Sequence, residues 1–394
     1  MKTVLLLSLV SVLPSVAHAE LFEAGNSPVH FSKISETEIL TTMSELPMKG
    51  AQLDDRYGWS ETYWPSNLGG IAYRWSHPNP QPFKYKLHSK EELMVMSLEQ
   101  RAQLSPSELY DIAMGDYSYT LTNNALRRYT KNDLWWEGIC HGWAQAATNY
   151  PEPAKVLVKN PDGIMVPFGS SDVKGLLAMH EAYNYKNKEG VRWAFSGRRC
   201  KVNGKVEGEG DNRDANPNPP APELANSPEC KDVNAGSFHV IVTNLLGIHG
   251  RGFVADIDRF NDVWNQPITS YSASIIGEEL VSDLEVSQGV ARRVRVAMKF
   301  VYGEELKFFT PELQASGARN FVSKNPVTGT SAQEFRNKPY EYILELNAAG
   351  KIIGGSWVTE TRPDFMWLYT RNAQFQNSPI PLGGLGKIYK PIRR

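Results

Sequence analysis

The sequence predicts an α+β fold in which helices come early and an antiparallel sheet comes late. Helical periodicity and capping signals are concentrated in residues 90–115 and 172–183. Runs rich in β-branched residues dominate the later part, at residues 252–258, 291–303 and 340–358. Runs of this length, separated by short turns, are typical of antiparallel strands.

Composition places the chain among globular proteins. It has 394 residues, 41% of them hydrophobic, which is ample for a large core. The formal net charge is −1, whereas a nucleic-acid-binding protein normally carries a basic surplus. We therefore expect no nucleic-acid partner.

The N-terminus predicts export. Lys2 precedes an apolar run over residues 4–13, and Ala17-His18-Ala19 forms a small-x-small cleavage site. We interpret residues 1–19 as a signal peptide that is removed after Ala19, which places the protein in the periplasm or outside the cell. The apolar run is shorter than the roughly 20 residues that a membrane anchor needs.

The first half of the mature chain predicts several helices. Residues 35–46 and 90–104 have helical periodicity, and residues 105–115 begin with Ser105 as N-cap and Pro106 at the first helical position. A further helix is expected over residues 141–150, beginning at or near Cys140.

Beyond Cys140 the predicted elements alternate. Residues 156–168 indicate a strand, a turn at Pro161-Asp162-Gly163 and a second strand. The helix of residues 172–183 follows a capping sequence that ends at Asp172. Residues 237–247, SFHVIVTNLLG, are predicted to form a buried strand, with residues 252–258 as its hairpin partner.

The mature chain has three cysteines, Cys140, Cys200 and Cys230. An oxidising compartment favours one disulfide and leaves one thiol over. Cys200 and Cys230 flank a hydrophilic loop rich in Pro, Asn and Gly, and a bridge closing about 30 residues contributes ~3–4 kcal/mol. We predict a Cys200–Cys230 disulfide and a free Cys140.

Residues 134–147, LWWEGICHGWAQAA, carry the candidate nucleophile. A helix N-terminus stabilises a thiolate and lowers the pKa of a cysteine placed there. Gly138 and Gly142 are expected to let a substrate backbone approach Cys140. The competing interpretation is a buried cysteine in an aromatic cluster, but an exported protein gains little from an unused reduced thiol.

A thiol nucleophile needs a base, and His239 is the candidate. It lies at the start of an apolar run, where a polar side chain is unexpected unless it has a function. A cysteine on a helix followed later in the chain by a histidine on a strand is also the order of papain-like folds. Asp256 and Asp258 lie on the expected partner strand with the same parity, so either is a candidate to orient the histidine.

Several motifs together resemble the transglutaminase elicitor family of oomycetes and bacteria. They are WWEGICHGWAQAA at residues 135–147, VPFGSSDVKGLL at 166–177, SFHVIVTNLLG at 237–247 and VWNQP at 263–267. The similarity extends from YGWSETYWPSNLGGIAYRW near residue 57 to PDFMWL near residue 368. It covers nearly the whole mature chain.

The resemblance implies a papain-like transglutaminase core with the cysteine at a helix N-terminus and the histidine and aspartate on an antiparallel sheet. It assigns Cys140 as nucleophile, His239 as base and Asp256 as orienting acid, with Asp258 as the alternative. The Cys140 backbone N–H and the indole of Trp135 or Trp136 are candidate donors to the oxyanion, and core packing is the alternative role of each tryptophan.

The domain division that follows is a signal peptide (1–19), an N-terminal helical and irregular segment that is a candidate pro-segment or lid (20–125) and a catalytic domain (126–394).

By the same resemblance, the partners are protein or peptide glutamine donors and primary amine acceptors such as lysine. Calcium is a candidate cofactor because some members of the family depend on it, although residues 207–216, EGEGDNRDAN, lack the ligand spacing of an EF-hand. No other metal or cofactor motif occurs. Two alternatives stay open: a glutamine deamidase or cysteine peptidase with the same residues, and a non-catalytic surface-recognition (elicitor) protein that acts through Trp264.

Overall fold

A computed structural model describes residues 22, 25–74, 84–184, 191–199, 201–202, 205–206, 232–258, 262–281, 286–306, 333–370, 375 and 379–393. The signal peptide, Cys200, Cys230 and residues 207–216 lie outside this range, so those predictions stay predictions. In this described part of the chain, none of the helices has both the length and the apolar character that a membrane span needs.

The main α-helices of the described residues are α1 (Ser32–Ser35), α2 (Lys90–Val95), α3 (Leu98–Arg101), α4 (Pro106–Met114), α5 (Thr120–Arg128), α6 (Cys140–Asn149), α7 (Ser170–Asn184) and α8 (Ala235–Val242), and a last short helix covers Leu385–Ile388.

The capping signals of the early helices are confirmed. The Ser105 hydroxyl accepts from the Glu108 backbone N–H at the start of α4, and the Glu108 carboxylate accepts in return from the Ser105 N–H. Such a reciprocal pair satisfies two N–H groups that a helix start leaves without partners. Gly115 ends α4 in the left-handed conformation, with φ 77°, which glycine adopts at little cost.

The prediction of a helix over residues 35–46 is wrong. A single 3-10 turn, Met43–Glu45, forms in this segment, and Glu36 adopts a left-handed conformation that ends α1. The side chain of Asn244 accepts from the Leu40 N–H at 2.9 Å and donates to the Leu40 carbonyl at 2.9 Å. These two hydrogen bonds occupy the backbone N–H and carbonyl of Leu40, which in a helix would bond to other backbone groups of the same segment.

The main sheet is antiparallel, as predicted. The strands of the described residues are β1 (Lys49–Ala51), β2 (Val156–Lys159), β3 (Met165–Phe168), β4 (Trp193–Gly197), β5 (Lys201–Val202), β6 (Lys205–Val206), β7 (Phe253–Asp256), β8 (Asn265–Glu279), β9 (Arg292–Gly303), β10 (Phe335–Leu346), β11 (Ile352–Trp357) and β12 (Phe365–Tyr369). Eight of them form the main sheet in the order β11-β10-β9-β8-β7-β12-β4, with β1 paired to β8. Two short hairpins, β2-β3 and β5-β6, lie outside it.

Residues 237–247 were predicted as a strand, and this is wrong. Residues 237–242 belong to helix α8, and residues 243–247 belong to the π-helical turn Thr243–Ile248. Asn234 caps the helix by accepting from the N–H groups of Gly236 and Ser237. All eight residues of α8 are buried, and a helix that is apolar all round shows no periodicity to distinguish it from a buried strand.

The sheet separates two hydrophobic cores. On one face, Phe253 and Ala255 of β7 pack in a cluster with Phe238 and Ile241 of α8. Alternate strand residues point to opposite faces, so Asp256 points away from α8. On that second face α6 packs against β7 and β8, and Cys140 belongs to the other core.

Residues of the predicted N-terminal segment are part of the core around α6. Trp59 and Trp64 are buried with Trp143 in one cluster. The Trp143 indole N–H donates to the Trp59 carbonyl at 3.0 Å, and the Ile139 N–H donates to the Tyr63 carbonyl at 2.8 Å. A pro-segment or lid role for residues 20–125 stays a prediction, and these contacts favour a structural role for the part around residue 60.

Gly138 and Gly142 serve a different purpose from the one predicted. A Cβ at Gly138 would lie 2.3 Å from the Tyr63 carbonyl oxygen, and one at Gly142 would lie 2.1 Å from the Ala178 carbonyl oxygen. Both glycines therefore allow close approach of the protein's own backbone rather than that of a substrate. At Gly142 this approach brings α6 against α7.

Gly142→Ala is expected to lower the free energy of unfolding by about 2–3 kcal/mol, because the added methyl must separate α6 from α7. Urea denaturation followed by circular dichroism measures the change. Gly277→Ala is the matched control, since a Cβ there meets no atom within 4 Å. An unchanged midpoint for Gly142→Ala would contradict the packing described for this helix pair.

Candidate active site

Cys140 is the first residue of α6, as predicted, and it is a free thiol. Its residue surface is 5% exposed, yet it lines a cavity of about 360 Å³ together with Trp136, His141, Val263 and Asn265. A cavity of this size lies within the range of small-molecule sites. It is therefore large enough to hold an amino-acid side chain.

The sulfur has two polar neighbours from the segment that leads into β8. The Cys140 thiol donates to the Val263 carbonyl at 3.6 Å, and the Asn265 amide nitrogen Nδ2 donates to the sulfur at 3.7 Å. The Trp367 indole donates to the Asn265 carbonyl oxygen Oδ1 at 2.8 Å. Because Trp367 holds that oxygen, the amide N–H groups of Asn265 are directed toward Cys140.

The thiol is protonated in this environment. Burial raises the pKa of Cys140 to about 11, the hydrogen bonds from Asn265 oppose the shift, and the carboxyl groups of Glu305 and Asp256 add to it. We expected the helix N-terminus to give a thiolate, but removal of the sulfur from water outweighs the helix. The proton must then leave as the sulfur reacts, which requires a nearby acceptor.

The alkylation rate of Cys140 by iodoacetamide is expected to rise about tenfold per pH unit between pH 7 and pH 10. The thiolate is the reactive form, and with a pKa near 11 its fraction keeps growing over this whole range. Peptide mapping by mass spectrometry separates Cys140 from the other cysteines, and the urea-unfolded protein is the control, in which the rate levels off near pH 9. A rate in the native protein that is flat above pH 7 would contradict the protonated thiol.

Asp256 lies on the same face of the sheet as Asn265, the residue whose amide contacts the sulfur. It pairs directly with Asn265 across β7 and β8, and directly paired residues point their side chains to the same face. One carboxyl oxygen, Oδ1, accepts from the Trp264 N–H at 3.2 Å, while Oδ2 has no hydrogen-bond partner among the described residues. Burial, together with the negative charge of Asp364, raises the pKa of Asp256 well above its usual range.

His239 was predicted to lie on a strand next to Cys140, and its position is different. It lies in the middle of α8, fully buried, with its ring Nδ1 2.7 Å from the Tyr342 hydroxyl. Burial lowers its pKa to about 4. Since α8 covers the face of the sheet opposite to α6, the structure brings Cys140 and Asp256 together but not His239.

The other predicted residues divide between the site and its surroundings. Asp258 forms an ion pair with Lys338 at 3.4 Å, whereas Asp256 is the acid that pairs across the strands with Asn265. Trp136 lines the cysteine cavity. Trp135 is half exposed and packs against Trp264, with ring centroids 6.0 Å apart.

Trp264, the residue of the alternative recognition hypothesis, is packed into the protein. Its ring makes an edge-to-face contact with Tyr63, with centroids 5.1 Å apart, and its indole N–H donates to Asp262 at 2.6 Å. These contacts give Trp264 a structural role next to the candidate site. Its neighbours Val263 and Asn265 line the cysteine cavity.

Sequence reasoning missed Asn265 and left His141 aside. Asn265 is an amide inside the VWNQP motif, and its place directly after Trp264 was the available signal. His141 lines the same cavity as Cys140. Burial lowers the pKa of His141 to about 4, and a hydrogen bond with the Ala182 backbone partly opposes this shift. It is a neutral imidazole at physiological pH.

Within the described parts of the chain, no group of three or more His, Cys, Asp or Glu side chains is arranged to hold a metal ion. The acidic segment 207–216, the one that suggested a cation, lies outside those parts. Calcium therefore stays a candidate cofactor by resemblance alone.

Comparisons with known proteins agree with the resemblance seen in the sequence. The family model described as "Transglutaminase elicitor" matches residues 30–383. The crystal structure of the GP42 transglutaminase from Phytophthora sojae matches 94% of this chain and 98% of that one, with 20% identity and a TM-score of 0.62. At this identity the likeness shows a shared fold, and a search of curated protein sequences gave no match. Because the family model spans most of its length, the chain belongs to the transglutaminase elicitor family.

Proposed function

We propose that the protein is an exported protein-glutamine γ-glutamyltransferase, which joins glutamine side chains to primary amines through a thioester on Cys140. One observation supports this most directly. A free cysteine at the start of α6 lines a cavity, with the Asn265 amide on its sulfur and the Asp256 carboxyl on the same face of the sheet. Nucleophile, hydrogen-bond donor and proton acceptor are the groups that acyl transfer requires.

The first half-reaction releases ammonia. The Cys140 sulfur attacks the γ-carboxamide carbon of a bound glutamine, and the thiol proton passes to the Asp256 carboxylate. The C–N bond then breaks, and Asp256 returns the proton to the departing nitrogen. Burial suits this exchange, because the raised pKa of Asp256 makes the carboxylate a stronger base and brings it closer to the raised pKa of the thiol.

The Asn265 amide and the first N–H groups of α6 are the proposed donors to the oxyanion. The N–H groups at a helix start have no partner inside the helix, and the Asn265 amide already points to the sulfur. Removal of one such donor typically costs ~3 kcal/mol of transition-state stabilisation. Asn265 takes over the role that the sequence assigned to the indole of Trp135 or Trp136.

In the second half-reaction an amine attacks the thioester carbon, the C–S bond breaks, and the amine proton returns to the sulfur through Asp256. A lysine side chain gives an isopeptide bond, and water gives glutamate. The Trp136 ring at the cavity wall limits the access of water. This partition separates a transglutaminase from a deamidase that uses the same groups.

Incubation with a glutamine-containing protein and a labelled primary amine, followed by mass spectrometry, tests the proposal. A transglutaminase gives the labelled amide and ammonia, a deamidase gives glutamate and ammonia alone, and a peptidase gives cleaved backbone. The assay is run with Ca²⁺ and with a chelator, because calcium is a candidate cofactor. An elicitor that acts without catalysis would produce none of these and would lose plant recognition in Trp264→Ala.

A further inference from the structure

A second cavity, of about 300 Å³, is lined by Trp264 and is acidic. Asp258, Glu304 and Glu305 line it, together with Tyr63 and Gln266. Asp258 has Lys338 as an ion-pair partner, and Glu304 has Arg336 at 3.4 Å. No lysine or arginine in the described part of the chain forms an ion pair with Glu305.

Gln266 supplies an independent sign of a ligand. It is 2% exposed, and its amide nitrogen donates to Glu305 at 2.6 Å. The amide oxygen Oε1 of the same side chain is buried and has no hydrogen-bond partner among the described residues. When Glu305 is ionised it accepts hydrogen bonds only, so the amide N–H faces it and the oxygen is left to accept from a ligand.

The cavity lies near the cysteine segment. Tyr63, which lines the cavity, packs against Trp264, and its carbonyl accepts from the N–H of Ile139, the residue before Cys140, at 2.8 Å. Gln266 directly follows Asn265 at the start of β8. One amide contacts the sulfur and the other contacts the acidic cavity.

We propose that this cavity binds the cationic acceptor amine, with Glu305 and the Gln266 amide oxygen as its ligands. An alkylammonium group carries one positive charge and three N–H donors, which matches a carboxylate without a cationic partner and an acceptor without a donor. The carboxylates are not arranged to hold a metal ion. The inference rests on the proposed transglutaminase function and adds where the second substrate enters.

In this site Glu305 also accepts a proton. Its carboxylate takes one proton from the bound ammonium, which leaves a neutral amine nitrogen. That nitrogen forms the C–N bond to the thioester carbon as the C–S bond breaks, and its second proton passes through Asp256 to the sulfur. Burial raises the pKa of Glu305 to about 7, so at pH 8 most of it is ionised and able to take the proton.

Two amines that differ in charge test the site. Monodansylcadaverine is cationic at pH 8, and hydroxylamine is uncharged, and each can resolve a thioester formed from a blocked Gln-Gly dipeptide. Glu305→Gln is expected to raise KM for monodansylcadaverine about tenfold or more and to change KM for hydroxylamine less than about threefold. Glu278→Gln is the control, because that carboxylate pairs with Arg292 on the exposed, distant part of β8.

Gln266→Met, which keeps the side-chain length and removes the unpartnered oxygen, is the second variant if Glu305→Gln does not fold. It is expected to raise the KM ratio of monodansylcadaverine to hydroxylamine about fivefold. Equal changes for both amines in a folded variant would overturn the amine site. If the wild-type protein forms neither product, the proposed function itself is wrong, which is a different result from an unchanged ratio.

Discussion

Replacement of Cys140 by alanine is expected to abolish amine incorporation, with a loss in rate of at least about 10⁴-fold. The sulfur is the atom that forms the thioester, and no other cysteine of the described residues is free to replace it. Removal of a covalent nucleophile leaves only the acceleration that binding and oxyanion donors provide. The loss should appear equally with monodansylcadaverine and with hydroxylamine.

A labelled-amine incorporation assay measures the loss, and a thermal unfolding curve shows whether the fold is retained. The thiol is small, so its removal from the core costs only about 1 kcal/mol. Leu280→Ala is the matched control, since Leu280 is 89% exposed and lies just beyond the end of β8, whereas Asn265 is at its start. Amine incorporation by a folded Cys140→Ala protein would disprove the thioester mechanism.

Asp256→Asn is expected to lower the rate about 10²- to 10⁴-fold, which is the usual contribution of a general acid–base group. The asparagine amide keeps the shape of the carboxyl and can still accept from the Trp264 N–H. It cannot take the proton of a thiol whose pKa burial raises to about 11. Pre-steady-state release of ammonia measures the acylation step directly.

His239→Gln and His141→Gln are the comparison variants for Asp256→Asn. His239 lies on the far face of the sheet with Tyr342 as its partner, so its replacement should change stability rather than the rate per folded molecule. His141 lines the cysteine cavity, and a loss confined to its variant would move the base from Asp256 to this ring. A loss confined to His239→Gln would restore the base that the sequence predicted.

The candidate nucleophile and its place at a helix start were accessible from the sequence because their signals are local. A free cysteine, a helix start and an aromatic surround can all be read within residues 134–147, and α6 begins at Cys140 as expected. Strands β7, β9, β10 and β11 were predictable for the same reason, since β-branched runs and turn residues are neighbours in the chain. Family membership followed from several such local motifs together.

The base could not be read in this way. The sequence of α8 is mostly apolar and the helix is buried throughout, so its pattern fits a strand as well as a helix. That one ambiguity placed His239 on the wrong face of the sheet. The predicted hairpin partner of residues 237–247 pairs instead with β8 and β12, which are later in the chain. Register across a sheet is decided by non-local packing.

The sequence by itself determined the α+β class, the family and the place of Cys140 at a helix start, because each rests on a short stretch of chain. Only the tertiary structure decided that Asn265 contacts the sulfur, that Asp256 shares the face of the sheet with Asn265 and that His239 lies on the other face with Tyr342. It also decided the high pKa of the thiol, since desolvation depends on every element packed around Cys140. Contacts between distant segments have no local pattern, which is why the fold had to supply them.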